Sequence, residues 1–147
     1  MKKLMAAVVL GSVLLMNTAF ANKKDNVNYQ VVNSFNKEFT QAKDVSWQKT
    51  ENYYKAEFKM NNEVMTAFFT TEGEFMGAAK NILSTQLPIN LQTSLGKDYA
   101  EYWISDLFEY AKPDSNGYFI TLQNADQSIT LQSNNGSSWT VYSKTKK

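Results

Sequence analysis

The chain has 147 residues, one domain by length, with 15 basic and 14 acidic side chains and a formal charge of +1. A chain this close to neutral has no electrostatic footprint for nucleic acid, and since every basic residue is Lys, bidentate Arg recognition of phosphate is excluded. It has neither Cys nor His, which removes disulfides, the usual ligands of zinc, copper and haem, and the Ser-His-Asp and Cys-His mechanisms.

In chain order, the first 21 residues read as an address rather than as structure. Lys2 and Lys3 form a positive start, Leu4 to Met16 is apolar apart from Gly11 and Ser12, and Ala19-Phe20-Ala21 places small residues before a cleavage point at Asn22. An apolar run of about 13 residues is short of the roughly 20 that a membrane-spanning helix needs. A cleaved signal peptide over 1–21 is expected, with no membrane span afterwards and a periplasmic or secreted home. With no Cys, a lipid-anchored form is excluded.

Residues 22–26 are polar. Val27, Val31, Val32, Phe35 and Phe39 then recur at helical spacing, which predicts a helix capped by Asn26 and ending near Gln41. Next the period becomes two. Val45 and Trp47, then Tyr54, Ala56 and Phe58, then Met65, Ala67 and Phe69 alternate with largely polar neighbours, predicting three half-buried strands. Asn61-Asn62 and Glu72-Gly73 are turn signals, and a fourth strand is expected from Glu74 toward Ala79. Pro88 can open a second helix bearing Ile89, Leu91, Leu95 and Tyr99. Strands are expected again over 102–111, 118–123, 128–132 and 138–143, with turns at 113–117, 124–126 and 134–136.

The order is therefore a helix plus four strands, twice. Residues 54–73 align with 118–136, so that Tyr54, Ala56 and Phe58 fall on Tyr118, Ile120 and Leu122, and Gly73 falls on Gly136. This alignment predicts an internal repeat with halves at about 27–83 and 88–143 inside one domain, 22–147. The expected class is α+β: two tandem helix-plus-four-stranded antiparallel sheet units, with the helices packed on one sheet face.

Phe39, Ala42, Val45-Ser-Trp47, Tyr54-Lys-Ala56-Glu-Phe58, Ala67-Phe-Phe69-Thr-Thr-Glu-Gly73 and Leu87-Pro88 together resemble the PepSY-like, β-lactamase-inhibitor-protein-like family of small secreted bacterial proteins. The resemblance covers about residues 30–143 and is weaker in the second half, which has no Trp in the place of Trp47. It implies the tandem fold. It also implies non-enzymatic binding, because the namesake inhibitors grip a β-lactamase with an exposed sheet face.

Candidate chemistry is sparse, and no enzyme and no cofactor are expected. Lys55 and Glu57 share a strand face, but an exposed ion pair is worth only about 0–1 kcal/mol and nothing nearby supplies an oxyanion site. The Ser-x-x-Lys spacing of penicillin-recognising enzymes occurs at Ser34–Lys37, Ser94–Lys97 and Ser143–Lys146, without the accompanying Lys-Thr-Gly or Ser-Asp-Asn motifs. Asp114-Ser115-Asn116-Gly117 lacks the remaining ligands of a calcium loop and reads as a β-turn. Asn135-Gly136-Ser137 has the form of a glycosylation acceptor and is equally a hairpin turn.

The aromatic residues, nine Phe, eight Tyr and three Trp, carry more information. Parity turns Trp47, Tyr54, Phe58, Phe69, Tyr118 and Trp139 toward the helices. The opposite parity places Tyr53, Phe68, Phe119 and Tyr142 on the other face, among Lys55, Glu57 and several Thr and Gln. Rings set in a soluble polar surface suit a protein-binding patch. The expected function is an inhibitor-like binding module for an envelope or secreted protein or peptide. Tyr53, Phe68, Phe119 and Tyr142 are its anchors, and Lys55 and Glu57 set register. The alternative is a carrier of a small apolar ligand in a helix–sheet cavity.

Overall fold

A computed structural model of the chain describes residues 26–147, so the expected signal peptide over 1–21 lies outside the described residues. The elements run α1 (Tyr29–Glu38), β1 (Lys43–Lys49), β2 (Tyr53–Met60), β3 (Glu63–Thr70) and β4 (Phe75–Asn81). After a 3-10 turn (Ser84–Gln86) come α2 (Ile89–Asp98), β5 (Trp103–Ala111), β6 (Asn116–Gln123), β7 (Gln127–Ser133) and β8 (Thr140–Lys146). The chain divides into two compact units, one ending at Gly77 and the other beginning at Ala78.

The strands do not form two four-stranded sheets. They form one eight-stranded antiparallel sheet in the order β1-β2-β3-β4-β5-β6-β7-β8, which corrects the expectation of two tandem helix-plus-four-strand units. The join is the β4–β5 ladder, running from Ala78↔Ala111 to Asn81↔Phe108. Alternation specifies a strand and its faces but does not say where a free edge goes. Separate sheets would leave β4 and β5 each with a row of unpaired backbone groups, and pairing them satisfies both.

In the first unit α1 starts at Asn28, whose side chain accepts from the Gln30 amide at 3.1 Å, so the cap lies two residues beyond the expected Asn26. The helix ends at Glu38, three residues short of the expected Gln41, with Phe39 as its C-cap. Its buried residues, Val31 and Phe35, are one turn apart and face the sheet. Phe35 is the hub of an aromatic core, with ring centroids 5.0 Å from Phe58, 5.2 Å from Trp47 and 6.2 Å from Phe69. The Met60↔Glu63 pair closes β2–β3 around Asn61 and Asn62, both at positive φ (54° and 64°), the left-handed pair a two-residue hairpin needs and Asn tolerates. Gly73 has φ of 96°, and a Cβ there would stand 3.0 Å from the Gln30 carbonyl, so the β3–β4 turn sits against the first turn of α1.

The second unit packs α2 on an aliphatic core of Leu87, Leu91, Leu107, Ile120, Leu122, Ile129 and Leu131. Tyr118 and Trp139 pack against this core half-buried, and the Trp139 indole donates to the Leu91 carbonyl at 3.2 Å. Ile120 and Leu122 thus face α2, as Ala56 and Phe58 face α1. Gly117, the second residue of β6, lies opposite Tyr110, and a Cβ there would lie 2.1 Å from the Ser133 carbonyl oxygen.

Candidate functional site

Two surface features follow from this packing: the sheet face turned away from the helix in each unit, and a groove where β4 leaves β5. In the first unit the face away from α1 is set by the pairs Tyr53↔Thr70, Lys55↔Phe68 and Glu57↔Thr66. Tyr53 and Phe68 meet edge to face with centroids 6.0 Å apart. Phe68 was expected to present its ring to solvent. It is 0% exposed, so it is a base and Tyr53, half-buried, is the outer ring. Lys55 is 8% exposed. Burial lowers its ammonium pKa, and the Glu57 carboxylate two residues along partly restores it.

In the second unit the face away from α2 carries a layer of rings centred on Phe119. Its centroid lies 5.3 Å from Phe108, 5.2 Å from Tyr110 and 5.1 Å from Tyr142, the last edge to face. Phe119 is 1% exposed, again a correction to the expected open ring, while Tyr142 stays half-buried at the rim. The neighbouring rings account for this: strand parity sets the side of a sheet a ring is on, and packing on that side sets whether water reaches it. Hydrogen bonds border the layer. The Tyr110 hydroxyl donates to Asn134 Oδ1 and accepts from Gln132 Nε2 at 3.1 Å, and Thr121 and Thr130 hydroxyls meet at 3.2 Å across β6–β7. Burial raises the phenol pKa of Tyr53, Tyr110 and Tyr142, so all three are neutral donors at physiological pH.

The structure therefore brings Tyr53, Lys55, Glu57 and Phe68 together in the first unit, and Phe119 and Tyr142 together in the second. The sequence reading missed Phe108 and Tyr110, whose parity on β5 was available, and missed the groove. The groove has a volume of about 340 Å³ and lies between Asn81–Ser84 and Ile104–Leu107. Its one charged lining residue is Asp106, which accepts from Asn81 Nδ2 at 2.9 Å. Burial raises the Asp106 carboxyl pKa, and the hydrogen bonds from Asn81 and the Leu107 backbone oppose that rise. An Asp in mid-strand is unusual and was the available signal.

The three Ser-x-x-Lys spacings give no shared site. Ser34 and Lys37 are on α1, Ser94 and Lys97 on α2, and Ser143 and Lys146, three apart on β8, point to opposite faces. The 112–115 segment closes as a turn, with the Lys112 amide donating to the Ser115 carbonyl at 2.7 Å. Among the described residues no group of three or more acidic side chains could hold a metal ion, and no helix is long and apolar enough to cross a membrane.

No protein-family model and no curated protein matches the chain. Solved structures do. A DUF2874 family protein from Bacteroides ovatus superposes with a TM-score of 0.72 at 18% identity, covering 83% of this chain and 89% of that one. A BLIP-like protein from Bacteroides fragilis gives 0.69 at 14% identity, over 81% and 85% of the two chains. A protein of Bacteroides eggerthii provisionally designated periplasmic gives 0.70 at 14%, over 82% and 88%. At these identities the likeness is one of fold.

Proposed function

We propose that this chain is a periplasmic or secreted, non-enzymatic binding module of the PepSY-like, β-lactamase-inhibitor-protein-like kind, which grips a protein or peptide with the sheet surface turned away from the helix in each unit. The observation that carries this reading is the pair of edge-to-face contacts Tyr53–Phe68 and Phe119–Tyr142. Each sets a half-buried tyrosine on a fully buried phenylalanine. A ring fixed from beneath loses little conformational entropy on binding, and a neutral phenol adds a directed hydrogen bond. Tyr53 and Tyr142 are the contacting groups in this reading, Phe68 and Phe119 hold them in place, and Glu57 with Lys55 supplies the polar register beside Tyr53. A BLIP-like neighbour of the same fold is consistent with such a role.

The test is affinity capture from envelope extract with the full chain and with a Tyr53→Ala, Tyr142→Ala double variant. The double variant is expected to keep its fold by circular dichroism and to lose about 2–4 kcal/mol of affinity for the captured partner, the range of an interface hot spot. Capture of the same partner in full by the double variant contradicts the reading.

A further inference from the structure

The β4–β5 ladder stops early. Its last pair is Asn81↔Phe108, yet β5 extends outward to Trp103. The Ile82 amide still donates to the Leu107 carbonyl at 3.2 Å. From Leu83 the chain turns back on itself, with the Leu83 amide donating to Gln86 Oε1 at 2.8 Å and the Gln86 amide to the Leu83 carbonyl at 2.9 Å. Residues 103–106 thus have no register partner on the β4 side among the described residues. On their other side they are held to β6 through a bulge between Ile104 and Asp106, where the Ser105 hydroxyl donates to the Thr121 carbonyl at 3.2 Å.

The space left by the departing chain is the groove of about 340 Å³. Leu83, 70% exposed, and Ile104, 43% exposed, flank it with apolar surface. Asp106 supplies its charge, and that charge meets a neutral amide: Asn81 Nδ2 donates to Asp106 Oδ1 at 2.9 Å and to the Leu107 carbonyl at 3.2 Å, which fixes the Asn81 side chain. An open strand edge, apolar flanks and one positioned anion are what an extended cationic peptide requires. Backbone hydrogen bonds along an edge provide affinity, and a carboxylate selects an ammonium or guanidinium by charge-assisted hydrogen bonding.

We propose that this groove binds an extended peptide segment of about four residues, roughly 13 Å of strand, which pairs its backbone with residues 103–106 of β5 and its lysine or arginine with Asp106. The inference concerns a surface separate from Tyr53 and Tyr142 and stands independently of the sheet-face reading.

The test is an amide-detected NMR titration of the full chain with four probes: acetyl-Val-Thr-Lys-Val-Thr-amide, the same peptide with Glu for Lys, the Lys peptide with alternate backbone amides N-methylated, and n-butylammonium chloride. The Lys peptide is expected to shift the amides of Ile104, Ser105 and Asp106. The Glu and N-methylated forms should bind about tenfold more weakly or worse, and Asp106→Asn should erase the preference for Lys over Glu. Equal binding of the Lys and Glu peptides overturns the proposal. So do undiminished binding of the N-methylated form, shifts confined to other strands, butylammonium binding as tightly as the peptide, or no response to the Lys peptide. The peptide series is read on the unaltered protein, so the result stands even if Asp106→Asn fails to fold.

Discussion

The two units solve the same packing problem with different residues. Between α1 and the sheet the core is aromatic, with Phe35 touching the rings of Trp47, Phe58 and Phe69. Between α2 and the sheet it is aliphatic, built of Leu and Ile. On the surface away from the helix in each unit the weight shifts: the second unit holds the larger ring layer, around Phe119, and the first holds the pair Tyr53 and Phe68. One sequence of elements thus fixes which side of a strand is covered, while the side chains decide whether the cover is a few large rings, each with many contacts, or many branched chains that share the load.

The largest effect is expected from Phe35→Ala. It removes the hub of the aromatic core and should destabilise the protein by about 3–5 kcal/mol, read from the urea midpoint. Gly117→Ala comes next, at about 1–3 kcal/mol from overpacking, because its Cβ would meet the Ser133 carbonyl oxygen of the neighbouring strand at 2.1 Å; thermal unfolding reads it. Ile120→Val trims one methylene from the aliphatic core and should lose about 0.5–1.5 kcal/mol. A loss as large as that of Phe35→Ala would show that the two cores do not differ in how they distribute contacts.

The smallest effect is a pH dependence at Asp106. Its carboxyl pKa is raised in the folded state, chiefly by burial, so the native chain holds that proton more tightly than the unfolded chain. Stability from this group therefore falls as pH rises from the ordinary carboxyl value through the raised native one. Urea midpoints measured across that window should decline less steeply for Asp106→Asn than for the unaltered protein.

Much of this was legible in the sequence. The 3.6-residue stripe of Val31 and Phe35 and the period-two runs at 54–58 and 118–122 gave the elements and their helix-facing sides, because burial on one face imposes that pattern directly. Two things were not legible. Pairing of β4 with β5 depends on edges meeting in space, and residues 78–81 carry no mark of their partner. The exposure of Phe68 and Phe119 depends on what lies over them, which alternation does not encode, so both rings were expected on the surface and both are buried. The groove at Asp106 arises from a ladder that ends, a feature of pairing rather than of composition.

Whether a partner sits on the sheet surface turned from the helix in each unit is decided by site-specific photo-crosslinking. A benzophenone amino acid would replace Tyr53 or Thr66 on that surface of the first unit, Tyr142 on that of the second, and Lys37 on the exposed side of α1, in cells that produce the full chain. One common crosslinked partner is expected from the three sheet positions and none from position 37. The same adduct from position 37, with none from the sheet positions, would contradict the sheet-face reading.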